Sequence, residues 1–134
     1  MRVRIVKKEY LNEDLLVKFY KYLDDKQIEI VNIIDDADIM ITLGGDGTIL
    51  SAAQEILEKD IPILAINMGS LGYLADVKLE ESFSMLDNIL LGKYSVEKRH
   101  FLEVKKNDEI FYALNELVIA KGGLKSKLIN VEVY

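Results

Sequence analysis

At 134 residues the chain suffices for one ordinary domain, or one and a half small ones. Half of its residues are hydrophobic and 30% are charged, so a core is available and the composition is that of a globular chain. The net charge of −6 argues against nucleic acid or an anionic membrane surface as the main partner. A small anionic ligand stays open, because a local loop can bind phosphate inside an acidic protein. With no cysteine there is no disulfide, no thiolate nucleophile and no cysteine-based zinc or iron–sulfur site. One histidine, His100, cannot form a metal cluster, so no metal ligands are assigned. No apolar run reaches ~18 residues, and no membrane partner is expected. The opening Met1-Arg2-Val3-Arg4-Ile5-Val6 lacks the apolar core and cleavage site of a signal peptide, so a cytoplasmic location is expected.

Residues 2–6 alternate charged and apolar side chains and read as a first strand. Asn12 or Asp14 can cap the helix that follows. In it Leu15, Leu16, Phe19, Tyr20 and Leu23 recur at helical spacing, up to Asp24-Asp25. Its aromatic residues are expected to be core contacts. Residues 28–34 form a second β-prone run. Asp35-Asp36-Ala37-Asp38 then brings three acids together. A metal site is the sharper reading. A solvated turn is the plainer one and is preferred, since no matched ligand spacing follows.

The stretch that organises the chain is Ile39-Met40-Ile41-Thr42-Leu43-Gly44-Gly45-Asp46-Gly47-Thr48. Residues 39–43 read as a buried strand, without charge and rich in β-branched side chains. Ile49, Leu50, Ala52, Ala53, Ile56 and Leu57 follow at helical spacing, in a helix expected to reach about Lys59. A strand, a glycine-rich turn and a helix N-terminus bring backbone N–H groups and the positive helix end to a concave surface suited to phosphate. Gly44 and Gly45 are expected to allow positive φ with no Cβ facing a ligand, and Gly47 to let backbone approach a phosphate. No lysine follows as in a P-loop, and no G-x-G-x-x-G is completed. The plainer reading makes Asp46 the N-cap of an ordinary helix.

Pro62 opens the next strand, residues 63–66, which leads into Asn67-Met68-Gly69-Ser70-Leu71-Gly72-Tyr73-Leu74-Ala75-Asp76, a second glycine-containing loop. Strands alternating with helices argue for a three-layer α/β sheet with ligands at the C-terminal strand ends, where the two loops would face each other. Residues 80–91 read as a helix, with Phe83, Leu86, Ile89 and Leu90 on one face and Gly92 as its C-terminal cap. Beyond it, residues 94–106, 109–120 and 128–134 are strand-like, joined by Asn107-Asp108 and Gly122-Gly123. The expected domains are 1–95, α/β and nucleotide- or phosphate-binding, and 96–134, the beginning of a β-rich, sandwich-like domain. Asn115 and Glu116 interrupt an apolar run. In a regular strand one of them would face a core, unless the strand bulges and aims both at a ligand. An edge strand with one solvated face is the plainer reading. The last strand-like run is still alternating at Tyr134, which suggests a fragment, or further strands from another chain.

Taken together, the motifs resemble those of the NAD kinases. Gly44-Gly45-Asp46-Gly47-Thr48 matches the family's G-G-D-G-T loop. Residues 67–74 resemble its N-x-G-x-L-G-F-L segment, with tyrosine for phenylalanine. Ala113-Leu114-Asn115-Glu116-Leu117-Val118-Ile119 matches its A-L-N-E-hydrophobic segment. The family's later glycine- and threonine-rich T-P-T-G-S-T-A-Y segment is absent. The resemblance implies an enzyme that phosphorylates the 2′-hydroxyl of the adenosine ribose of NAD, with ATP or polyphosphate as donor and Mg²⁺ as cofactor. It implies Asp46 as general base, and Gly44, Gly45 and Gly47 as the phosphate-facing turn. Asn115 and Glu116 would bond the nucleoside and Tyr73 would pack on the nucleotide. Lys125 and Lys127 could reach phosphate, although a solvated face is the plainer reading. NAD and ATP are the expected partners, with homo-oligomerisation through the β-rich part. The competing expectations are a lipid or sugar kinase with the same glycine loop, and a non-catalytic nucleotide-binding or assembly fragment.

Overall fold

The computed structural model describes residues 1–9, 11–69, 72–75 and 77–116. The chain divides into two compact units, Met1–Arg99 and a second from His100 onward.

The first unit is a parallel sheet of five strands: β1 (Arg2–Lys7), β2 (Glu29–Val31), β3 (Ile39–Gly44), β4 (Ile63–Asn67) and β5 (Val77–Lys78). Their spatial order is β2-β1-β3-β4-β5. The helices are α1 (Glu13–Asp25), α2 (Asp46–Glu55) and α3 (Leu79–Leu90). Right-handed crossovers decide the layers. The β1-α1-β2 unit runs toward one edge of the sheet and β3-α2-β4 toward the other, so α1 and α2 cover opposite faces. Burial agrees. Ile39, Ile41 and Leu43 join one apolar cluster with Phe19 and Leu23 of α1 and Leu79 and Leu86 of α3. The alternate residues Met40 and Thr42 are equally buried and point to the other face. There α2 buries Ile49, Ala52 and Ala53. The expected three-layer α/β architecture is therefore present.

Local chemistry explains most element ends. Asn12 caps α1, its side chain accepting from the N–H groups of Asp14 and Leu15. Gly92, at φ +69°, closes α3. Its N–H bonds the carbonyl of Ile89, and the Lys93 N–H bonds that of Asn88, a double bond pattern that needs the left-handed residue. The second β-prone run is shorter than expected. β2 stops at Val31, and a 3₁₀ turn (Ile34–Asp36) follows. The three acids there are paired: Asp35 with Lys59, Asp36 and Asp38 with Arg2, whose backbone N–H also bonds Asp38 at 2.6 Å. These exposed pairings fit the solvated turn. α2 ends at Glu55 instead of near Lys59, and turns closed onto the carbonyls of Ala53 and Ile56 carry the chain onward. β5 was not legible, because two residues carry no periodicity. Among the described residues no helix is long and apolar enough to cross a membrane.

The second unit contains an antiparallel hairpin of β6 (Leu102–Lys106) and β7 (Glu109–Ala113), turning at Asn107, φ +55°. Residues 94–101 form no strand, contrary to expectation, and β7 ends at Ala113. The expected strand at 128–134 and the Gly122-Gly123 turn lie outside the described residues.

Candidate functional site

The site is built at the C-terminal ends of β3 and β4. β3 is the central strand, buried along all six residues and paired in parallel with β1 and β4. Its last residue, Gly44, lies in register with Asn67, the last of β4, and the Met68 N–H bonds the Gly44 carbonyl at 3.0 Å. The chain reverses direction of crossover between β1 and β3, and such switch points open a crevice at the carboxyl edge of a parallel sheet.

The glycines divide by purpose. Among the described glycines only Gly92 has positive φ. Gly45 is extended, φ −118°, and caps α2 with its backbone. The expectation of positive φ at Gly44 and Gly45 is thus corrected. Gly44 is required by space instead: a Cβ there would sit 2.9 Å from Thr48 Cβ. A Cβ at Gly45 or Gly47 would meet nothing within 4 Å, so those two face open space at the helix start.

Asp46 is the first residue of α2 and not its N-cap. Its side chain crosses to the second loop. Oδ2 accepts the Tyr73 N–H at 2.9 Å, and Oδ1 accepts those of Leu74 at 3.0 Å and Ala75 at 3.3 Å. The N–H groups of Leu74, then Tyr73, then Ala75 hold this carboxyl below the usual aspartate range, against an opposing effect of burial. Gly72 permits the approach, since a Cβ there would lie 2.7 Å from Asp46 Cγ. Asn67, buried at 8% exposure, holds the same segment from beneath. Its Nδ2 donates to the Ala75 carbonyl at 3.0 Å and its Oδ1 accepts the Gly69 N–H at 2.8 Å.

Comparison with known proteins decides the family. The profile described as the ATP-NAD kinase N-terminal domain matches residues 7–94. The chain belongs to the NAD kinase family. An NAD kinase of Methanothermobacter thermautotrophicus is 48% identical over 98 residues, covering 73% of this chain and 34% of that protein. One from Thermoanaerobacter sp. (strain X514) is 42% identical over 130 residues, covering 93% and 45%. The chain thus spans between a third and a half of the length of these relatives. Among solved structures, yeast NADH kinase complexed with NADH superposes with a TM-score of 0.70 at 21% identity, over 86% of this chain and 47% of that one, a likeness of fold.

Within this NAD kinase fold, the structure brings Gly44, Gly45, Asp46, Gly47 and Tyr73 to one sheet edge, with Tyr73 99% exposed. Asn115 and Glu116 belong to the second unit. Both are exposed and follow the end of β7, so neither faces a core and neither needs a bulge. Lys125 and Lys127 lie outside the described residues. Sequence reasoning placed Asn67 and Gly72 in the second loop without giving either a role of its own, and passed over the pair Lys7 and Lys8. Lys7 ends β1 in register with Leu43, and the Lys8 N–H bonds the Leu43 carbonyl at 3.0 Å, which puts both cations on the edge that carries the glycine loop. The signal for Asn67 was a polar residue at the end of a buried strand. For Gly72 it was the second glycine of the 67–74 segment, and only the fold shows that it makes room for Asp46.

Proposed function

We propose that the chain supplies the N-terminal half of an NAD kinase site, which transfers a phosphoryl group from ATP or polyphosphate to the 2′-hydroxyl of the adenosine ribose of NAD. The observation that carries this reading is Asp46, a carboxylate at the start of α2 and at the end of the central strand, beside the open backbone of Gly45 and Gly47. In the transfer the ribose oxygen bonds the terminal phosphorus, the bond to the leaving phosphate oxygen breaks, and the hydroxyl proton passes to Asp46. The loose transition state of phosphoryl transfer asks more of positioning and charge neutralisation than of a strong base. Gly44, Gly45 and Gly47 shape the phosphate-facing turn and Tyr73 offers a ring to the nucleotide. Asn115 and Glu116, exposed after β7, offer hydrogen bonds to the nucleoside. Among the described residues no three acids or histidines form a metal-holding group. Mg²⁺ is therefore read as part of the donor, its shell filled by phosphate oxygens and water. The exposed Leu102, Ile110 and Phe111 support self-association through the β-rich unit.

The test is NADP formation from NAD, ATP and Mg²⁺, by the 134-residue chain and by a chain extended past Tyr134, each with Asp46→Asn. Turnover is expected in the extended chain and a loss of about 10²–10⁴ in the variant, the range for a positioned base. An Asp46→Asn enzyme with undiminished turnover would falsify the base assignment. The chain covers less than half of the two relatives compared above, which favours a second reading of the 134 residues alone: a half-site that binds nucleotide without turnover. Nucleotide affinity without NADP formation is its signature.

A further inference from the structure

Tyr73, Leu74 and Ala75 aim three successive N–H groups at one point, and the group found there is the protein's own carboxylate. Successive N–H groups that converge in this way form an anion-binding concavity, indifferent to whether the oxygens belong to carbon or phosphorus. We propose that residues 73–75 form an oxyanion cradle for a phosphoryl group, occupied by Asp46 in this structure and vacated when a phosphoryl group takes its place. Three features support the exchange. Asn67 grips the Ala75 carbonyl and the Gly69 N–H, so the cradle is tied to β4 from beneath and does not depend on Asp46 alone. The residues on either side of Asp46 are uncrowded, since a Cβ at Gly45 or Gly47 would meet nothing within 4 Å. Lys7 and Lys8 stand on the same sheet edge and favour a phosphoryl anion over a second carboxylate. The exchange trades three N–H bonds to one anion for three to another, while the displaced carboxylate stays at the positive end of α2. It explains why a residue at the place of a base is bonded in a way that weakens a base: Asp46 is latched until a phosphoryl group releases it. The cradle stands on geometry alone and does not rest on NAD as substrate.

The consequence is competition. A ligand that must displace an internal occupant binds with an affinity reduced by the fraction of open sites. Inorganic pyrophosphate is the probe, titrated into the 134-residue chain while the amide resonances of Tyr73, Leu74 and Ala75 and the carboxyl carbon of Asp46 are followed. Pyrophosphate is expected to shift all three amides and to return the Asp46 carboxyl to ordinary aspartate behaviour. Asp46→Ala is expected to bind pyrophosphate at least about tenfold more tightly. If that variant does not fold, Asp46→Asn, which keeps an acceptor oxygen without the charge, is measured instead and is also expected to bind more tightly than the wild type. Amides at 73–75 that ignore pyrophosphate in the wild type, or equal or weaker binding in a folded variant, overturn the cradle. Absence of NADP formation bears on the proposed activity and leaves this result untouched.

Discussion

Two glycines in neighbouring loops do opposite work. Gly72 exists for the protein's own contact, while Gly47 faces open space. At the second position of α2, Gly47→Ala is expected to stabilise the fold by about 0.5–1 kcal/mol through helix propensity, read from urea unfolding. In the extended enzyme it is expected to lower turnover, if backbone there approaches phosphate. Stability and activity moving in opposite directions is the outcome that assigns Gly47 to a ligand. Gly72→Ala drives a Cβ into Asp46, and overpacking of this kind costs about 1–3 kcal/mol. It also releases the carboxyl. In the wild type the folded Asp46 has a lowered pKa, so its stabilising contribution is complete above the ordinary value of 3.8 and is lost as pH falls through the lower folded pKa. Asp38, held low by the Arg2 N–H, and Asp87, held low by Lys26, act in the same direction. Unfolding stability is therefore expected to drop steeply below about pH 4, and less steeply in Gly72→Ala. Identical acid limbs in the two proteins would dissociate Gly72 from the state of Asp46.

At the scale of elements, α1 and α3 hold the sheet face opposite α2. Phe83 lies between Phe19 and Tyr22, at ring distances of 6.4 and 4.9 Å. The Tyr22 hydroxyl donates to the Phe83 carbonyl at 2.9 Å and to Asp87 at 2.8 Å. Burial, with the bond to Asp87 and its charge, pushes the Tyr22 phenol up to about 12, so it remains a donor at any ordinary pH. The C-terminal end of α3 depends on one backbone conformation. Gly92→Ala puts a Cβ on a residue at φ +69° and is expected to cost about 1 kcal/mol, read as a lower urea midpoint with unchanged slope. Gly92 lies at the end of α3, away from the sheet edge that carries the glycine loop, so Asp46 should titrate as in the wild type. A changed Asp46 titration would mean that α3 and the site are coupled.

For the molecule as a whole, β3 is both the centre of the core and the base of the site. Ile41, fully buried in the apolar cluster, sits three residues before Gly44. Ile41→Ala is expected to cost about 2–5 kcal/mol, a large share of the stability of a domain this size. Because the strand end carries the loop, the three amides at 73–75 should lose their protection from hydrogen exchange together with the β3 amides. Loss of the loop amides alone, with β3 unaffected, would mean that the site opens locally. The hairpin of β6 and β7 is a separate matter. Two strands of five residues are marginal in water, and Leu102, Ile110, Phe111 and Tyr112 are exposed on them.

Much of this was written in the order of residues. An uncharged β-branched run, two glycine loops after buried strands and amphipathic helices between them are local patterns, because pleat and helix periods are set by neighbours along the chain. They were enough for the α/β architecture and drew attention to Gly44, Gly45, Asp46 and Gly47, while the family, and Tyr73 with it, came from the resemblance of the three motifs. Local pattern failed where the deciding partner is distant. Asp46, for which a helix cap was the plainer reading, instead reaches 27 residues forward to Tyr73. Gly44 looked like a positive-φ turn and is in fact a space kept for Thr48. One of Asn115 and Glu116 was expected to face a core, unless the strand bulged, only because β7 was expected to continue beyond Ala113. The two-residue β5 carries no period at all, and pairing with β4 alone makes it a strand. The sequence by itself determined the helices and the longer strands of the parallel sheet, the layers and the acid at the loop. Only the tertiary structure decided what that acid touches, because three backbone N–H groups on another loop have no side-chain signature and come together only when β3 and β4 lie in register.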